Sequence, residues 1–168
     1  MRKILLILAT FLLLSALPAY AITTWEGTVL AVNEGDTLVV DHYGEPELVT
    51  LYGISCPTKG EDFGPLAKVF TNDLLMGKKV IVEEQIRPAG NPTQALVYVK
   101  DTGLLLNKTL VKVGYAWVYD GRCEKAECIN WYTLEHEARN AQRGIWFATS
   151  SESELPQAPW KYHWDITR

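Results

Sequence analysis

The chain is short of basic residues, and this bears first on its partners. It has 16 Lys and Arg against 20 Asp and Glu. Non-specific nucleic-acid binding rests on cations neutralising phosphates, so an acidic chain starts at a disadvantage there, although a local basic cleft remains open. Cysteine and histidine are scarce too, three of each. His42 and His163 have no partners at ligand spacing, and Cys123, Cys128 and His136 lack the fourth ligand of a closed zinc site. The longest apolar run, Ile4 to Ala16, falls short of the roughly 20 residues that a bilayer requires. No cysteine stands near its end, so nothing supports a lipid anchor, and no internal repeat is visible.

Arg2 and Lys3 precede that run, and a small-residue Ala19-Tyr20-Ala21 site follows it. This is the pattern of a secretory signal peptide, 1–21, cleaved after Ala21, which places the protein in the periplasm or outside the cell with no membrane span left. Loss of Arg2 and Lys3 leaves 14 basic residues against 20 acidic ones, a formal charge of −6. In an oxidising compartment Cys123 and Cys128, close together in GRCEKAECINW, are expected to form a disulfide. Cys56 is then the odd cysteine and is read as buried and inert.

Three short β-branched or aromatic runs, Trp25 to Val32, Thr37 to Asp41 and Glu47 to Tyr52, are separated by turn residues and read as a meander. Phe63 to Met76 reads as a helix with Leu66, Val69, Phe70 and Leu74 on its apolar face and Gly77 as its stop. Lys79 to Gln85 and Ala95 to Lys100 are two more strands around a loop with Pro88, Gly90 and Pro92. Helical patterns follow at Leu105 to Val113 and from about Ala126 to Gln142, the latter with Ile129, Leu134, Ala138 and Ala141 on a face, while Tyr115 to Tyr119 between them is strand-like. Five strands with a helix after the third and helices at the end indicate an α+β fold built on a five-stranded barrel of the oligonucleotide- and oligosaccharide-binding type. A ferredoxin-like sandwich is the competing arrangement.

A family resemblance rests on ordered motifs from Trp25 to Phe147. They are Glu34-Gly35-Asp36-Thr37, Leu51-Tyr52-Gly53-Ile54 with Pro57, Lys59-Gly60, Phe63-Gly64, Gly103 with Asn107, Gly114-Tyr115-Ala116-Trp117-Val118, Ala138-Arg139 and Arg143-Gly144-Ile145-Trp146. Together they resemble the staphylococcal nuclease (thermonuclease) family. The resemblance implies the five-stranded barrel with about three helices over residues 22–149, followed by an aromatic tail, 150–168. The paired cysteines and Pro159-Trp160 are similar to features of its exported bacterial members.

The family hydrolyses DNA and RNA phosphodiesters with calcium, and the resemblance places its machinery residue by residue. Asp36 matches the first metal-binding aspartate, Ser55 the second, and Cys56 a residue whose carbonyl faces the metal. Thr58 stands where a glutamate activates water, and Thr50 where the first phosphate-clamping arginine stands. The second arginine falls between Asn91 and Gln94, in a run without arginine. Calcium affinity tracks the charge of its oxygen ligands, so only weak binding at Asp36 with Ser55 is implied. A missing base is worth about 10²–10⁴ in rate, and each missing donor to the phosphorane about 10²–10³.

These substitutions favour an exported domain with no intact catalytic site, needing no cofactor and serving as a binding or accessory module for an unknown ligand or envelope protein. Nucleic-acid binding is then weak at most. The alternative is a divergent calcium-dependent endonuclease, for which Glu61 and Arg87 are the candidates for a relocated site. Glu61 reads as a solvated loop charge and Asp36 as a turn residue bonding its own backbone. Tyr115, Trp117 and Tyr119 could stack bases but read as core, and Trp160, Tyr162 and Trp164 as a tail pinned to the barrel.

Overall fold

The computed structural model describes residues 23–119, 126–147 and Ala158. The signal-peptide segment, Cys123 and the tail aromatics lie outside the described residues. Five strands close a barrel in the order β1 (Thr24–Glu34), β2 (Thr37–His42), β3 (Glu45–Leu51), β6 (Thr93–Val99) and β5 (Lys79–Ile86), with β5 returning to β1. All pairings are antiparallel except β3 with β6, which is parallel. β1 is long enough to serve two neighbours, pairing with β5 through Thr24–Thr28 and with β2 from Thr28 onward. Irregularities between Val29 and Ala31 and between Val32 and Glu34 bend it around the barrel.

Alternation along the strands points Leu38, Val40, Val49, Leu51, Val80, Val82, Ala95, Val97 and Val99 into one core. Among the described residues three helices flank the barrel: α1 (Gly64–Leu75) against β1, α2 (Leu106–Val113) against β6, and α3 (Ala126–Asn140) packed on α2, followed by a 3₁₀ turn, Gly144–Trp146. A smaller cluster, Trp117, Ala138, Ile145, Trp146 and Ala158, lies beside the main core.

The strand at Tyr115 to Tyr119 shrinks to β7 (Trp117–Val118), which pairs with β4 (Ile54–Ser55), a two-residue strand that sequence pattern did not reveal. Trp117 is buried and packs edge-on against Trp146, so it belongs to the core and is no stacking platform. Both amphipathic faces also differ from expectation. On α1 the buried residues are Gly64, Ala67, Thr71 and Leu75, while Leu66 and Val69 are about half exposed, 52% and 54%. On α3 Ile129 is 70% exposed while Cys128, Trp131 and Ala138 are buried, and Ala141, just past the end of the helix, is exposed as well.

Candidate functional site

Asp36 starts the site. It sits in the turn between β1 and β2, where its main-chain oxygen accepts from Leu51 N–H at 2.9 Å. Its side chain does more than close the turn. One carboxylate oxygen accepts from the Thr37 hydroxyl at 3.0 Å, and the other accepts from Cys56 N–H at 2.7 Å, twenty residues on. Asp36 thus clamps the segment after β4 to the end of the barrel. Burial raises its pKa, partly offset by the Cys56 amide and the Thr37 hydroxyl and reinforced by the charge of Glu34.

Two glycines permit this approach. A Cβ at Gly35 would come within 2.9 Å of both Cys56 Sγ and Ala67 Cβ, and a Cβ at Gly64 would overlap the Thr58 carbonyl oxygen. The Gly35 carbonyl accepts from the buried Thr71 hydroxyl at 2.7 Å, which ties α1 to the same loop. The small and hydroxylic stripe of α1, Gly64-Ala67-Thr71, is what lets the helix lie this close.

Thr37, Thr50 and Gln94 stand abreast. Thr37 pairs with Thr50 across β2–β3, and Thr50 with Gln94 across β3–β6. All three are half-buried, on strands whose neighbours Leu38, Val49 and Ala95 point inward, so they face out of the barrel beside Asp36. The two positions that the resemblance assigns to clamping arginines are therefore strand neighbours at the right end of the barrel, held here by a threonine and a glutamine.

The Thr58 loop is a tight turn. Thr58 N–H donates to the Glu61 carboxylate at 2.6 Å, and Glu61 N–H donates back to the Thr58 carbonyl at 3.0 Å. Glu61 therefore folds back onto the loop instead of standing free in solvent, and one of its oxygens is committed to the Thr58 amide. Arg87 is not brought to Asp36. It lies past the end of β5, bonded to Glu84 through Nε (2.9 Å) and to Glu47 through Nη2 (2.8 Å). Cys56 is free and fully packed, and burial together with the charges of Asp36 and Glu34 pushes its thiol pKa well up.

Glu34 escaped the sequence reading. Its Oε2 is buried with no hydrogen-bond partner, and its charge acts on both Asp36 and Cys56. The signal was available in Glu34-Gly35-Asp36, two carboxylates flanking a glycine in one turn. Even so, the calcium that the family uses does not fit this donor set. Calcium takes six to eight oxygens with several carboxylates among them. Here each Asp36 oxygen already accepts a hydrogen bond, Ser55 replaces a carboxylate, and no three His, Cys, Asp or Glu side chains converge as a metal site among the described residues.

The profile of the family described as "Staphylococcal nuclease homologue" matches residues 48–148. A protein of Escherichia coli O157:H7 named "Uncharacterized endonuclease" is 31% identical over 136 residues, 81% of this chain and 84% of that one. "Micrococcal nuclease" of Shigella flexneri is 29% identical over 163 residues, 92% and 88% of the two chains. "Thermonuclease" of Staphylococcus intermedius is 31% identical over 94 residues, 52% and 56%. With the barrel and the helices in place, the chain belongs to the staphylococcal nuclease family.

Proposed function

We propose that this domain has lost phosphodiester hydrolysis and works as an exported binding or accessory module, in the periplasm or outside the cell, for a ligand or an envelope protein. The observation that carries this reading is the row Thr37-Thr50-Gln94 beside Asp36. Transferring a charged phosphorane needs preorganised cations, and neither strand neighbour supplies one. With Thr58 in the base position, the combined loss is about 10⁶–10¹⁰ before allowance for non-additivity, most of a nuclease's rate. No cofactor is required by this reading, and a Cys123–Cys128 disulfide belongs to it.

The names of the relatives favour a second reading, a divergent calcium-dependent endonuclease, for which the sequence offered Glu61 and Arg87 as a relocated site. A calcium titration of the folded protein with a cleavage assay on single-stranded DNA separates the two. The first reading expects no calcium-dependent product above a blank. It also expects cleavage to appear in the combined variant Thr50→Arg, Ser55→Asp, Thr58→Glu, Gln94→Arg.

A further inference from the structure

Ala158 is the one residue of the aromatic tail among those described. It is buried and packs into the smaller cluster with Trp117, Ala138, Ile145 and Trp146, so the segment that follows leaves from a fixed point beside α3. From there the sequence alternates. Trp160, Tyr162 and Trp164 continue the period of two that Ala158 begins, with Lys161, His163 and Asp165 between them. In an extended segment such residues share one face at intervals of about 7 Å, and Trp160 to Trp164 spans about 13 Å.

The same cluster borders an exposed apolar surface. Phe63, the N-cap of α1, packs against it, and one turn further along the helix Leu66 stands half exposed. Val69 and Met76 are half exposed too. The buried residues of this helix are Gly64, Ala67, Thr71 and Leu75, and at about 100° per residue Leu66, Val69 and Asp73 fall on the opposite side. Large apolar side chains left together on a surface mark a contact. From Leu66 to Met76 the line runs about 15 Å, close to the span of the three rings. Its charge is complementary as well: Asp73 is exposed within the line, and beyond Ala158 the tail carries Lys161 and Arg168 against Asp165 alone. Ile129 on α3 is the rival surface, but it lies nine residues before Ala138, which turns it to the far side of that helix from the cluster.

We propose that the outer face of α1 is the docking site of this chain's own tail, with Trp160, Tyr162 and Trp164 laid along Leu66, Val69 and Met76 and the tail's cations beside Asp73. Docking there buries the one face of α1 that the barrel leaves open, and it braces the Thr58–Gly64 turn from which the helix starts. The inference holds whether or not the Asp36 end hydrolyses nucleic acid.

The test attaches bimane, a fluorophore that tryptophan quenches on contact, to the full mature chain through Val69→Cys, an exposed position. Its emission should be quenched, should recover when Trp160→Ser and Trp164→Ser are added, and should not change on dilution. A label at Ile129→Cys should be indifferent to the same two changes. A second readout leaves the tail unaltered and follows release of residues 162–168 by trypsin after Lys161. Leu66→Asp should speed that cleavage about tenfold, because cleavage tracks the population of the undocked form, and Ile129→Asp should leave it within about twofold. No recovery at position 69, equal recovery at position 129, or cleavage unchanged by Leu66→Asp would each overturn the proposal. Quenching that fades on dilution would overturn it too, by making the occupant a second copy of the chain.

Discussion

Asp36 is tied into the fold by more than its turn. Gly-Asp-Thr was read as a turn aspartate bonding its own backbone; the bonds from the Thr37 hydroxyl and the Cys56 amide were not foreseen, the second because it depends on β4 bringing that segment round. Its raised pKa means the fold prefers the protonated form. That contribution is present at low pH and is lost as pH rises through the folded pKa, so the ionised group is a net cost at neutrality. Asp36→Asn, which keeps an oxygen for one of the two donors, should therefore raise stability at pH 7–8 by on the order of 0.5 kcal/mol, with the gain vanishing below about pH 4. Paired urea melts at the two pH values would measure this. Cys56, buried between anionic neighbours, should resist alkylation at pH 8 in the native state and react in urea.

The elements were more legible than their faces. The strand and helix positions follow from alternation and turn residues, and the closed barrel follows from them together with the family motifs. The buried stripes of α1 and α3 did not follow, since hydrophobicity marks large apolar residues whereas close packing selects small ones. Gly64 is buried on α1 against the Thr58 carbonyl, and Ala67 and Thr71 are buried against Gly35. Gly64→Ala should consequently cost about 3 kcal/mol, more than an exposed helical glycine, whose replacement by alanine stabilises. At the other helix, Asn107 is fully buried, accepts from Val97 N–H and donates to the Tyr52 and Ala95 carbonyls, tying α2 to β6 and to the end of β3. Asn107→Ala should cost about 2–4 kcal/mol by leaving these groups unpaired, read from the shift in denaturant midpoint at constant slope.

The whole molecule carries two poles of opposite pH behaviour. Opposite Asp36, bonds from Arg87 and Trp25 hold Glu84 below its ordinary pKa. Burial works against Glu47, but Thr93, His42 and Arg87 outweigh it and lower that pKa as well. Stability from these two is present above their unfolded values near 4.5 and is lost as pH falls through the folded ones. Acid unfolding should begin at this pole, and Arg87→Ala should move its midpoint to higher pH. At the Asp36 pole, β2, β3 and β6 set Thr37, Thr50 and Gln94 abreast, with no cation at the two positions that the resemblance assigns to arginine clamps. The most direct measurement is cleavage of single-stranded DNA by the purified mature protein across a calcium titration, with Asp36→Asn and Glu61→Gln alongside. The account predicts product no greater than the blank for all three proteins at every calcium concentration. Calcium-dependent cleavage by the unaltered protein that disappears in either variant would contradict it.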